Sequence, residues 1–150
     1  MYMTNATAER PLHSVSVAGI VVREDGRVLV IQRADNGAWE PPGGILERNE
    51  RPEEGVRREV AEETGVTVEV ERLTGVYKNL TLGVIALVFR CRPVGGEERL
   101  SDESTDVRWL TPDEVEQSMK EVFSVRVADA LDAAAPHVRS HDGERLIAAA

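Results

Sequence analysis

The chain of 150 residues holds one cysteine, Cys91, and only 4% aromatic residues. A single thiol excludes an internal disulfide framework and a cysteine-rich zinc site, and it fits a reduced, cytoplasmic compartment. Basic charge is also short, with 18 Lys and Arg against 27 Asp and Glu and a formal net charge of −9. That balance argues against a nucleic-acid partner, because a phosphate backbone demands a basic face. It leaves small phosphorylated ligands open, since a bound cation inverts local electrostatics. No apolar run reaches the ~18 residues that cross a bilayer, so no membrane partner is expected. The opening MYMTNATAERPLHS lacks the apolar core of a secretory signal. The few aromatics leave little material for stacking on a base.

What is present is an ordinary globular balance, 41% hydrophobic and 30% charged, in a length suited to one domain. The acid is unevenly spread. Seven glutamates fall within residues 44–66, and seven Asp and Glu within residues 101–121. Carboxylates clustered twice in one small domain point to cation binding or to a solvated acidic surface, and composition alone favours the solvated surface.

Hydrophobic patterning predicts a strand over residues 14–24, a two-residue hairpin turn at Asp25-Gly26, and a return strand over residues 27–33. Trp39-Glu40-Pro41-Pro42-Gly43-Gly44 reads as a fixed, exposed turn, since two prolines and two glycines suit neither a helix nor a strand interior. Residues 51–64 form a helix, with Pro52 in its first turn and Gly65 as its stop. Strands follow over residues 66–77, 81–92 and 107–110. Thr111 caps a helix to about Met119, and a further helix carries Phe123, Val127, Ala130 and Leu131. Asp142-Gly143 sets a closing hairpin within residues 138–147. The reading is a mixed α/β or α+β domain over residues 14–135, with helices covering a sheet. A flexible arm (1–13) precedes it and a hairpin extension (136–150) follows. An isolated hairpin is marginal in water, so the extension must dock on its own sheet edge or on a second subunit. A homodimer is the expected state.

At 100° per residue, Val56, Val60 and Thr64 make the buried stripe of the 51–64 helix. Glu59, Glu62 and Glu63 fall together on the neighbouring face. Their i, i+3, i+4 spacing brings the Cβ atoms within roughly 5–6 Å, where like charges repel and a divalent cation would relieve them. Arg58 stands one residue before Glu59 and four before Glu62, where a guanidinium can orient carboxylates.

The wider pattern runs from Gly44 over five residues to Glu50, then over seven to Arg58-Glu59-Val60-Ala61-Glu62-Glu63-Thr64-Gly65-Val66. This resembles the signature of the Nudix hydrolases, G-x5-E-x7-R-E-U-x-E-E-x-G-U with U aliphatic, at every defining position. The resemblance implies an α/β/α sandwich with a mixed sheet, in which the box forms a catalytic loop–helix–loop. It implies that Glu59, Glu62 and Glu63 bind Mg²⁺ or Mn²⁺, that Arg58 orients them, and that the Gly44 carbonyl is an additional ligand. Glu50 supports the loop or joins the metal shell. The implied activity is hydrolysis of a nucleoside diphosphate linked to another moiety, with Glu62, Glu63 or a later carboxylate as base. Among Asp102, Glu103 and Asp106, Glu103 is the expected candidate. Arg33, at a strand end, could contact phosphate, Trp39 could stack on a base or pack in the core, and Glu47 could sit beside the metal.

Substrate choice is only faintly marked. Where ADP-ribose hydrolases of the family carry a proline, this chain has Leu80-Thr81-Leu82; where diadenosine-polyphosphate hydrolases carry a tyrosine, it has Gly83 and Val84. A nucleoside triphosphate or modified nucleotide is favoured by elimination. The alternative, a module that senses a nucleotide without cleaving it, would be expected to show a damaged box, and this box is intact.

Overall fold

The computed structural model describes residues 10–134 and 136–148; most of the expected N-terminal arm lies outside the described residues. Among the described residues, nine strands and three helices follow in chain order: β1 (Ser14–Val21), β2 (Val28–Arg33), β3 (Trp39–Glu40), β4 (Gly43–Ile45), α1 (Pro52–Thr64), β5 (Val66–Asn79), β6 (Val84–Gly96), β7 (Ser104–Leu110), α2 (Pro112–Ser118), α3 (Glu121–Leu131), β8 (His137–His141) and β9 (Leu146–Ile147). A six-stranded mixed sheet is ordered β4-β1-β6-β5-β8-β9, with β1 parallel to β6 and β5 parallel to β8. A smaller antiparallel sheet is ordered β3-β2-β7. Helices on both faces of the mixed sheet complete the α/β/α sandwich. Among the described residues, no helix is long and apolar enough to cross a membrane.

Strand β1 shows why the layers form. Its residues alternate between two cores, with Ala18 and Ile20 packing towards Val115, Val127 and Ala130, and Val17 and Val21 packing towards Val56 and Val60 of α1. A strand buried on both faces reads as one apolar run, as this one does. Gly19 sits beneath α1, where an added Cβ would lie 3.0 Å from Val60 and 3.1 Å from Val56. The missing side chain lets the helix approach the sheet closely. Cys91 is fully buried on the same side, and burial pushes its thiol up to about 12, so it serves as a small packed hydrophobe.

The ends of α1 form much as read. Arg51 precedes Pro52, the Glu54 carboxylate accepts the Arg51 N–H at 3.0 Å, and Gly65 closes the helix at φ 79°. Thr111 and Glu114 exchange reciprocal bonds at the start of α2.

Three local readings are corrected. Asp25-Gly26 does turn the chain, but β1 and β2 part after a single bridge, Val22 to Val28. Both hydrogen-bonding edges of β1 are taken by β4 and β6, so β2 joins the other sheet. The turn at 39–44 is not exposed, since Pro41 and Pro42 are buried and the residues around them form β3 and β4. Two short strands fit on either side of prolines that would break one longer ladder. The closing hairpin has a four-residue connection, Asp142 to Arg145, rather than a two-residue turn. There the Asp142 carboxylate accepts the N–H groups of Glu144 and Arg145.

Strand β8 docks on the β5 edge of its own sheet. Its anchor is Asp129 of α3, which is 4% exposed. Asp129 accepts the Tyr77 hydroxyl at 2.7 Å and two N–H groups of Arg139, each at 2.8 Å. Burial pushes the Asp129 carboxyl up, but these donors outweigh it and hold the group below its ordinary value. A folded-state value below the unfolded one contributes stability that is complete above about pH 4 and is lost as pH falls through the folded value. Asp129→Ala is expected to cost about 2–3 kcal/mol, because it strands a buried phenol and a guanidinium. Asp129→Asn should flatten the fall of the melting midpoint below about pH 4. Calorimetric melting across pH 3–7 checks both.

Candidate active site

The box helix delivers its carboxylates to one large cavity of about 790 Å³. Glu59, Glu62 and Glu63 come from α1, Gly44 and Glu47 from β4 and the loop after it, Arg33 and Glu40 from the small sheet, and Asp102 and Glu103 from the loop before β7. The 3.6-residue period explains the differences between the three glutamates. Glu63 turns towards the sheet and is 5% exposed, whereas the Glu62 side chain is 61% exposed at the cavity mouth. Burial, and the adjacent Glu59 carboxyl, raise the proton affinity of Glu63; the Gly43 N–H works in the opposite direction. Its Oε2 is buried and has no hydrogen-bond partner among the described residues.

Arg58 organises the rest. Its Nε and Nη2 donate to the two oxygens of Glu50 at 3.0 and 2.6 Å, and Nη2 also reaches the Ile45 carbonyl at 3.2 Å. Its Nη1 donates to Glu59 Oε1 at 2.8 Å and to Glu62 Oε2 at 3.3 Å. The Glu50 Oε1 also accepts the Glu47 N–H at 3.0 Å. The Arg58 guanidinium and that N–H hold Glu50 at about 2. Both Glu50 oxygens are thereby engaged in tying the loop to the helix, and Glu50 is absent from the cavity lining.

Gly44 leaves room for the Glu59 carboxylate. A Cβ there would lie 2.6 Å from the Glu59 carboxyl group. Arg33 lines the cavity, with its guanidinium on Asp35 at 2.9 and 2.7 Å and Glu40 at 3.7 Å. Asp102 and Glu103 line it, and Asp106 does not; Asp106 instead accepts from Arg108 at 2.8 Å. The Glu103 carbonyl accepts the Ala34 N–H at 2.9 Å, which pins this loop to the end of β2. Trp39 is outside the cavity lining; it packs against the core beneath Arg108, whose guanidinium is 5.5 Å from the ring centroid.

Sequence reasoning missed Glu40. Burial raises its carboxyl above the ordinary value, and Arg33 and Arg126 oppose the rise. The available signal was a lone carboxylate between Trp39 and two prolines, which local pattern reading treats as loop polarity.

The NUDIX domain family matches residues 12–131. The chain belongs to the Nudix hydrolase family. A MutT-like protein of Streptomyces ambofaciens is 70% identical over 139 residues, covering 93% of this chain and 90% of that protein. An ADP-ribose pyrophosphatase of Methanocaldococcus jannaschii is 33% identical over 106 residues, covering 66% of this chain and 63% of that relative. A NUDIX hydrolase from Nitrosomonas europaea shares the fold, with a TM-score of 0.75 at 24% identity, covering 89% of this chain and 81% of that one. As a Nudix hydrolase the protein acts on phosphoric anhydride bonds.

The groups of the Nudix box that could hold a cation are Glu59, Glu62, Glu63 and the Gly44 carbonyl. Among the described residues, no three carboxylate, imidazole or thiol groups converge into a ready-made cage. Arg58 Nη1 holds Glu59 and Glu62 on one guanidinium nitrogen, and its positive charge offsets their mutual repulsion. The donor set nevertheless fits a hard divalent ion, being all oxygen and including the orphaned, buried Glu63 Oε2. Gly44→Ala should displace the Glu59 carboxylate and lower kcat on the order of 10²-fold. Its melting midpoint should stay near that of the unsubstituted protein, and steady-state kinetics beside thermal melting reads both.

Proposed function

We propose that the protein hydrolyses a nucleoside diphosphate linked to another group, with Mg²⁺ or Mn²⁺ held by Glu59, Glu62, Glu63 and the Gly44 carbonyl. The observation that carries this reading is the buried and unpartnered Glu63 Oε2, beside Glu59 in the large cavity. A buried carboxylate oxygen without a donor is costly, and a hard cation would satisfy it. When bound, such a cation polarises a phosphoryl oxygen and acidifies an attacking water.

The chain's own groups do the positioning. Arg58 holds Glu59 and Glu62 in line along one face of α1. Arg33 at the end of β2 offers a guanidinium to phosphate oxygens, and Asp35 fixes its direction. Glu103, on a loop pinned to β2, is the proposed acceptor of the water proton. Phosphoryl transfer needs little more than placement and charge stabilisation.

A nucleoside triphosphate or modified nucleotide is the proposed substrate class, because Leu80-Thr81-Leu82 lacks the proline of ADP-ribose hydrolases. The name of the M. jannaschii relative makes ADP-ribose the competing candidate. Phosphate release from a nucleotide panel, with and without Mg²⁺, discriminates them. Release from none of the panel would favour a sensing role. The proposed homodimer is read by light scattering of the full chain.

Two further outcomes are expected. Excess Mg²⁺ or Mn²⁺ after EDTA should raise the melting midpoint, because a ligand bound only by the native state adds stability; an unchanged midpoint would count against a metal site on α1. Glu63→Gln should keep the fold and lower turnover roughly 10²–10³-fold. A near-full rate at limiting Mg²⁺ would remove Glu63 from the site.

A further inference from the structure

Helix α3 carries a buried cation that Glu40 reaches only through space and that no described carboxylate touches. Arg126 is 7% exposed, and no carboxylate lies within ion-pair reach of it among the described residues. Its Nε donates to the Val122 carbonyl of the same helix at 3.2 Å. Its charge rests on the faces of Tyr77 and Phe123, with centroids 4.9 and 5.1 Å away. Aromatic faces favour the charge but do not satisfy the fork of N–H groups at its end.

His141 faces this fork. Arg126 Nη2 and His141 Nε2 are 3.5 Å apart, and His141 is 4% exposed. The Gly143 N–H donates to His141 Nδ1 at 3.0 Å. Nδ1 therefore presents its lone pair, and the single proton of a neutral ring sits on Nε2. Burial, and then the charge of Arg126, lower the imidazole's proton affinity, so the ring is neutral. Two donors thus point at one another across 3.5 Å, and neither can satisfy the other.

Both line a cavity of about 200 Å³ between α3 and the sheet, and its lining shares no residue with the hydrolytic cavity. Ser16 and Asn79 line it as well. Asn79 Oδ1 accepts the N–H groups of Thr81 and Leu82, each at 3.0 Å, which leaves the amide nitrogen as its free end. Leu82 and Phe123 form the apolar wall. The polar groups here can all donate, and the one formal charge is positive.

We propose that Arg126, His141, Asn79 and Ser16 form a second binding site, for a small oxyanion of the carboxylate or phosphate type. One ligand oxygen accepts from Arg126 Nη2 and His141 Nε2–H together and so relieves the donor–donor contact. The remaining oxygens take the other Arg126 N–H groups, the Asn79 amide and the Ser16 hydroxyl. The site excludes cations, since no free carboxylate lines it.

The test is nitrogen-detected NMR of the imidazole rings in the full-length protein, with EDTA present and pH held constant. His141 should be found as the Nε2–H tautomer. Addition of inorganic phosphate or of acetate should move its Nε2–H resonance saturably, and chloride at equal ionic strength should not. A response to phosphate alone or to acetate alone names the oxyanion type. Arg126→Met should abolish the response, and Arg126→Lys, which keeps the charge but loses the fork, should weaken it. An Nδ1–H tautomer, or no response to either anion in the unsubstituted protein, would overturn the proposal. So would a response that survives in Arg126→Met.

Discussion

The guanidinium of Arg58 is the constraint on which the site depends. It joins the loop after β4 to the carboxylate face of α1. Through Glu50 and the Ile45 carbonyl it fixes the loop, and through Glu59 and Glu62 it fixes the helix carboxylates. A lysine in its place would supply the charge without the planar fork that reaches four groups at once. The acidic cavity is stable as built because one cation is shared among carboxylates that would otherwise repel.

That arrangement needs α1 to lie close on the sheet, and the sheet is shaped for it. Gly19 removes a side chain under Val56 and Val60, and Gly44 removes one beside Glu59. The two glycines act at different levels. The first sets how near the helix comes, and the second sets where one carboxylate can stand. Packing and chemistry are thus adjusted by the same means, the absence of a Cβ.

The box helix was legible because a 3.6-residue period, a proline start and a glycine stop all agree over one short stretch. The spacing of Gly44, Glu50, Arg58 and the three glutamates carried the family and the candidate ligands with it. What local reading could not supply is partnership. Asp25-Gly26 announces a turn but does not say that both edges of β1 are already occupied, so β2 was read as its partner. Pro41 and Pro42 announce an interruption but not its burial. Glu40, Arg126 and His141 acquire their surroundings from elements distant in sequence, and no window of residues records that. Trp39 was legible as a large aromatic residue, and its place under Arg108 depends on β7, which arrives much later in the chain.

The parallel pairing of β1 with β6 carries a kinetic consequence. Ser14 lies opposite Val84, so the first strand of the large sheet finds its parallel neighbour only about seventy residues further along. The strand that follows β1 immediately cannot serve as a substitute, because it belongs to the other sheet. Closing so long a loop spends chain entropy before the ladder returns any of it, and contacts of this separation slow folding. The box helix lies wholly inside that loop. Its docking surface on β1, β5 and β6 is complete only once that loop has closed.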